Sequence, residues 1–173
     1  KVLNDNLLKE ILSRWLEASL AKKREKVLST AINLFLANDY ISPIYILLPQ
    51  IEGLITDHII RKGEVPNSQL NKRFIQFGLI IKSEKFNSKM TKYLTKTLIS
   101  YLKGVFYKTW FPYPNPKSGK QLRTDKIAPQ RHVTLPAEIN PLYFTKENCL
   151  KLICTIDAII LLSLREKELK GSK

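Results

Sequence analysis

The hydrophobic positions of this chain recur at the spacing of helices. Leu8, Ile11 and Trp15 follow one another at intervals of three and four residues, which places them on one helical face. No segment alternates apolar and polar residues as a half-buried strand does. The pattern predicts an all-α protein with one domain spanning 1–173. Its predicted helices cover residues 5–25, 26–38, 42–61, 69–83, 88–108 and 145–168.

Polar residues refine this pattern at helix starts and on buried faces. Ser42 before Pro43, and Thr145 before the last apolar run, are typical helix-capping residues. Glu52 and Asp157 fall on apolar faces, where a carboxylate needs a cation or a hydrogen-bond donor. Cys149 and Cys154 lie on one predicted helix, and we interpret both as reduced thiols in the core.

The stretch from Trp110 to Pro141 differs from the rest of the chain. It holds six of the nine prolines, so regular helix is excluded there. We expect a long Pro-rich loop before the last helix, of the kind that is either functional or flexible. Its aromatic residues offer either core packing or faces for stacking unpaired bases. They are Trp110, Phe111 and Tyr113.

Charge is concentrated in the middle of the chain. The formal net charge is +14, and residues 61–126 alone carry 15 basic and 3 acidic side chains. A concentrated positive field raises the local concentration of a polyanion, which general solubility does not require. This distribution predicts a polyanionic partner, with RNA as the expected one.

Lysines in this basic segment follow helical spacing. From Lys82 to Lys103 six lysines follow one another at intervals of three, four, three, four and seven residues, and Glu84 is the only acid in that stretch. Leu94, Leu98 and Leu102 supply the opposing apolar side. A solvated surface face is the alternative, although such a face usually carries compensating acids. The predicted RNA-binding residues are Lys82, Lys85, Lys89, Lys92, Lys96, Lys103, Lys117, Lys120 and Arg123.

Most enzyme classes lack support in this sequence. Phosphate-cradling glycine loops, paired catalytic carboxylates and zinc-type ligand spacings are absent, so no metal or cofactor is predicted. The apolar run 150–164 is too short and too interrupted to cross a bilayer. Because the first twenty residues also lack an apolar signal core, we expect a fragment of a non-secreted protein and a cytoplasmic location.

One short motif can support phosphodiester chemistry. Arg131 and His132 are adjacent in the basic Pro-rich segment, where an arginine can hold a phosphate and a histidine can transfer a proton near neutral pH. The alternative is structural: Arg131 pairs with Glu52 or Asp157, and His132 is an ordinary loop residue.

Two blocks of the sequence resemble the HEPN superfamily of prokaryotic helical domains. They are "AINLFLANDYISPIYILLPQIEGLITDHII" at residues 31–60, and "RHVTLP" with "FTKENCLKLICTIDAIILL" toward the end. The resemblance implies a HEPN-like helical bundle, homodimerisation, and a place in antiphage defence or toxin–antitoxin systems. Catalytic members of that family cleave RNA without metal, using an arginine and a histidine five residues later.

This chain departs from the family's catalytic motif. The family arginine falls on Arg131, but the family histidine falls on Pro136 and the glycine that usually follows it on Ala137. Proline carries no acid or base, so the resemblance implies a degenerate ribonuclease motif. Three hypotheses stay open: an RNA-binding domain with little or no catalysis, an active endoribonuclease using Arg131 and His132, and a non-catalytic dimerisation or protein-interaction domain.

Overall fold

The computed structural model describes residues 5–83, 89–102 and 144–170, and most of these residues are helical. The all-α prediction is confirmed: no strand occurs within these ranges. The helices are α1 (Asp5–Glu17), α2 (Glu25–Leu36), α3 (Ile41–Arg61), α4 (Leu70–Ser83), α5 (Lys89–Tyr101) and α6 (Lys146–Lys170), with a 3-10 helix at Lys22–Arg24 before α2.

Helix α3 is the centre of the packing. It lies against α2, α4 and α6, and α5 packs on both α4 and α6. Its buried side chains recur at intervals of three and four residues and occupy one broad face, while most of the remaining positions are half-buried. One continuous hydrophobic core joins all six helices, with Trp15, Phe74 and Phe77 among its largest fully buried side chains. The single domain predicted for 1–173 stays a prediction.

The first predicted helix is too long. Helix α1 ends at Glu17, and the chain turns through Ala18 and Ala21 into the 3-10 helix rather than continuing to residue 25. Ala18 and Ala21 are both 1% exposed, so this turn lies against the core. Their small side chains allow α2 to begin close to the end of α1, which a hydrophobic-periodicity pattern does not reveal.

The start of α3 is capped by a different residue from the one predicted. Asp39 Oδ1 accepts hydrogen bonds from the amides of Ile41 and Ser42 at 2.9 and 3.1 Å, so the helix begins one residue before Ser42. Asn38, at φ 64°, ends α2 in the left-handed conformation that asparagine tolerates. Pro43 fits the first turn, where its missing N–H has no helical partner to lose.

The last helix begins as predicted. Thr145 Oγ1 accepts a hydrogen bond from the amide of Asn148 at 3.1 Å, and α6 continues to Lys170. Three other expected boundaries hold to within a residue, since α4 spans Leu70–Ser83 and α5 begins at Lys89. No described helix combines the length and apolarity required to cross a membrane.

Ion pairs join helices that are distant in sequence. Arg14 on α1 bonds both carboxylate oxygens of Asp157 on α6 at 2.8 and 2.9 Å, and Trp15 Nε1 donates to Asp157 Oδ1 at 2.9 Å. Arg73 on α4 bonds Glu52 on α3 at 2.9 Å. The prediction that the two inward carboxylates need partners is therefore confirmed, and each has an arginine from another helix.

Candidate nucleic-acid interface

The candidate interface is the outer surface of α4 and α5. Four of the predicted RNA-binding lysines lie within the described residues, and all four are exposed: Lys82 on α4, and Lys89, Lys92 and Lys96 on α5. The remaining members of the predicted set lie outside the described ranges. They are Lys85, Lys103, Lys117, Lys120 and Arg123.

The α5 lysines share one side of that helix, since they are three and four residues apart, and other positions of the helix are buried. Thr95, Leu98 and Leu102 are between 0 and 6% exposed, and they face the core. Lys89 and Lys96 are seven residues apart, so their Cα atoms are separated by about 10 Å along the helix axis. Lys92 extends this surface toward one flank. The α5 lysines therefore present their charge outward over two helical turns.

Neither helix carries an acid that could neutralise these lysines. The sequences LNKRFIQFGLIIKS of α4 and KMTKYLTKTLISY of α5 contain no aspartate or glutamate. Within the described ranges, none of the four lysines takes part in an ion pair. A merely solvated helix face usually carries i, i+4 acid–base pairs, so α5 has the charge pattern of a surface that meets a polyanion.

Two contacts hold α4 and α5 in place. Arg73 connects α4 to α3, because its Nη1 contacts both Glu52 and the Thr56 hydroxyl, at 2.9 and 3.1 Å. Gly78 allows α5 to approach closely, since a Cβ at this position would lie 2.9 Å from Ile99 Cδ1. The guanidinium of Arg73 is thus committed to the fold, while the lysines remain at the surface.

Sequence reasoning missed one side chain of this surface, Tyr93. It is 65% exposed, and it lies four residues after Lys89 and three before Lys96, which makes it a neighbour of both on the helix surface. Its spacing relative to the lysines is the signal that could have identified it. The structure therefore places an aromatic ring among the cations of α5.

A second correction concerns the apolar side of α5. Leu94, predicted to lie on the apolar side with Leu98, is 41% exposed, whereas Thr95 is 3% exposed. The helix is rotated so that Leu94 borders an open groove between α5 and α6 with a volume of about 300 Å³. The groove is lined by Leu94, Thr97, Leu98, Tyr101, Lys151, Cys154, Thr155 and Ala158.

The groove holds two titratable groups that remain neutral near pH 7. Loss of hydration in the groove raises the pKa of the Tyr101 hydroxyl. The pKa of the Cys154 thiol is also raised, by partial loss of hydration beside the groove wall and by the negative charge of Asp157. Cys154 is exposed, which corrects the prediction of two core thiols, and Cys149 is fully buried as predicted. A neutral thiol is a weak nucleophile, so the groove has the character of an apolar contact surface.

His58 belongs to the core. Its side chain is fully buried, with the Ser163 hydroxyl 3.1 Å from Nδ1 and the Phe77 ring at a centroid distance of 5.2 Å. A substrate therefore has no access to this imidazole. The described residues contain no group of three or more His, Cys, Asp or Glu arranged to hold a metal ion.

The predicted catalytic residues Arg131 and His132 lie outside the described ranges. Glu52 and Asp157, the acids considered as structural partners for Arg131, have Arg73 and Arg14 as partners. The aromatic residues Trp110, Phe111 and Tyr113 also lie outside the described ranges.

Comparisons with protein-family models, with curated proteins and with solved structures give no match for this chain. The HEPN resemblance therefore rests on the two sequence blocks alone.

Proposed function

We propose that this protein is a HEPN-like RNA-binding domain with a degenerate ribonuclease motif, of the kind the resemblance associates with prokaryotic defence. The observation that carries the proposal is the outward-facing lysine surface of α5 on helices without acids. RNA offers the matching partner, because its phosphates recur at short intervals and release bound counterions when lysines replace them.

Charge reversal on α5 tests this binding. The variant Lys89→Glu/Lys92→Glu/Lys96→Glu should weaken binding of a 12-nucleotide RNA by about ten-fold or more at low salt. The slope of log Kd against log salt concentration should also fall by about two units, at about 0.7 unit for each lost single-strand phosphate contact. Fluorescence anisotropy over a salt series measures both quantities.

The matched control reverses three exposed lysines elsewhere, as Lys22→Glu/Lys23→Glu/Lys26→Glu. This control changes the net charge by the same amount. If RNA binds at α5, the control variant should bind RNA with nearly the affinity of the unmodified protein. Equal losses in both variants would show that only total charge matters. Absence of salt-sensitive binding in the unmodified protein would overturn the proposal.

The degenerate motif predicts little or no cleavage. RNA incubated with the protein in EDTA should remain intact, because proline replaces the family's proton-transferring histidine at Pro136. Metal-independent cleavage abolished by Arg131→Ala would instead establish the active endoribonuclease that uses Arg131 and His132.

The groove between α5 and α6 favours a second candidate function, self-association as a homodimer. Its lining is mainly apolar, and Leu94 at its border is partly exposed to solvent. Sedimentation velocity should then show a dimer that Leu94→Asp converts to monomer, because a carboxylate in an apolar interface is costly. A protein that is monomeric before substitution excludes this function.

A further inference from the structure

The ring of Tyr93 is the one large aromatic side chain that the described α5 surface presents to solvent, and lysines flank it along the helix. Lys89 precedes it by one turn and Lys96 follows it by about one turn. Tyrosine carries a large apolar ring that is normally packed against other atoms. Its 65% exposure leaves a ring face free for a partner.

The side chains around Tyr93 restrict what that partner can be. The cations of α5 are all lysines, and protein–protein interfaces are depleted in lysine relative to the rest of the surface. Lysine is, however, an ordinary partner of phosphate. An aromatic ring between two lysines is complementary to a single nucleic-acid strand, because the ring can stack on a base while the lysines contact the phosphates on either side.

Helix α5 also has few of the side chains that read base sequence. Arginine, asparagine, glutamine, aspartate and glutamate, which make most of the two-point hydrogen bonds to base edges, are absent from Lys89–Tyr101. Its lysines can contact a base edge, but they lack the planar fork that fixes such a contact. Stacking is different, because every base has an aromatic face. The composition of α5 therefore favours recognition of phosphates and base faces over recognition of a sequence.

We propose that α5 binds unpaired polynucleotide without sequence preference, with Tyr93 stacking on a base while Lys89 and Lys96 contact the flanking phosphates. This inference rests on the proposed RNA binding and adds its substrate class. In a duplex the bases are stacked on each other, so Tyr93 contributes only where the strand is unpaired. RNA and DNA single strands share this chemistry, and separate oligonucleotides distinguish them.

The experiment compares Tyr93→Leu with the unmodified protein on four 12-nucleotide probes: mixed-sequence RNA, the same RNA as a duplex, single-stranded DNA of that sequence, and a strand with the same number of phosphates but abasic. Tyr93→Leu keeps an apolar side chain and good helix propensity. It should weaken binding of both single strands by about ten-fold and leave duplex binding unchanged. Tyr93→Trp should bind at least as tightly as the unmodified protein.

The abasic probe identifies stacking as the cause. The unmodified protein should prefer the base-containing strand by about ten-fold, and Tyr93→Leu should bind both strands equally. The salt slope should not change in Tyr93→Leu, because no charge is removed. Ile60→Ala, which truncates an exposed apolar residue outside the basic segment, is the matched control and should match the unmodified protein.

Failure of the inference is distinguishable from failure of the proposed function. If binding depends on the α5 lysines but Tyr93→Leu retains the preference for base-containing strands, RNA binding stands and the role of Tyr93 is overturned. If reversal of the lysines has no effect on binding, both proposals fall. Equal binding of duplex and single strands by the unmodified protein also overturns the inference.

Discussion

The guanidinium of Arg24 occupies the space that a side chain at Gly53 would fill. A Cβ on Gly53 would lie 2.7 Å from Nη2 of Arg24. From this position Arg24 bonds Gln50 and Asp57 on α3 at 3.0 and 2.7 Å. Gly53 lies between these two partners on the same side of the helix, so its missing side chain lets the guanidinium bridge them.

This relationship predicts a strong coupling between the two positions. Alanine favours a helix interior over glycine by about 1 kcal/mol, so Gly53→Ala should stabilise the protein by about that amount once Arg24 is already Ala. In the unmodified background the displaced guanidinium loses its hydrogen bonds, and the net change should be close to zero. Urea denaturation of the four proteins in this double-mutant cycle measures the coupling. Identical effects of Gly53→Ala in both backgrounds would contradict it.

Asp157 should contribute more to stability than a surface carboxylate. Asp157→Asn removes the charge that pairs with Arg14 and disturbs the acceptor of Trp15 Nε1, which should cost about 2 kcal/mol of unfolding free energy. The control is Glu147→Gln. The Glu147 side chain is exposed and pairs with Lys151 four residues later, so its loss should lower the unfolding free energy by less than about 0.5 kcal/mol. Equal losses in urea denaturation would refute the assignment of Asp157 as a packing partner between α1 and α6.

The Asp39 cap makes stability depend on pH. Hydrogen bonds from Ser42, with a smaller contribution from the Ile41 amide, lower the pKa of Asp39 below its usual value of 3.8. A carboxyl group whose pKa is lower in the folded state than in the unfolded state stabilises the folded protein at every pH above the unfolded-state pKa. This stabilisation is lost as the pH falls through the folded-state pKa. Asp39→Ala should therefore destabilise the protein at pH 7 by about 1 kcal/mol.

Thermal denaturation of the Asp39→Ala variant between pH 7 and pH 2 checks this dependence. The difference in melting temperature between this variant and the unmodified protein should be constant near neutral pH and should shrink below about pH 4. Thr30→Ala, at an exposed position on α2, provides a comparison whose difference should not shrink. A difference for Asp39→Ala that stays constant down to pH 2 would contradict its role as an ionised cap.

The two thiols should react at different rates. Cys149 is fully buried and burial raises its pKa to about 12, whereas Cys154 is exposed with a smaller rise in pKa. Iodoacetamide at pH 8 should therefore label Cys154 alone in the folded protein and both cysteines in urea. Mass spectrometry of the peptides gives the extent of labelling. The rate at Cys154 should continue to rise beyond pH 9, and equal labelling of Cys149 in the folded state would contradict its burial.

Local pattern was enough to predict the helical class and several of its details. Apolar residues at helical spacing identified the helices, because a helix that packs on a core must repeat its hydrophobic contacts about every 3.6 residues. The inward positions of Glu52 and Asp157 and the shared face of Lys89, Lys92 and Lys96 followed from the same spacing. The Thr145 cap followed from a hydroxyl residue just before the last apolar run.

Only the tertiary structure decided which distant residues meet. Arg14 reaches Asp157 and Arg73 reaches Glu52 because α1 and α4 pack against helices far along the chain, and no periodicity encodes such pairings. The rotation of α5 was likewise decided by its neighbours: the approach of Ile99 to Gly78 accompanies burial of Thr95 and exposure of Leu94 and Tyr93. Sequence spacing determines which side chains share a helical face, whereas packing between helices determines which face meets solvent.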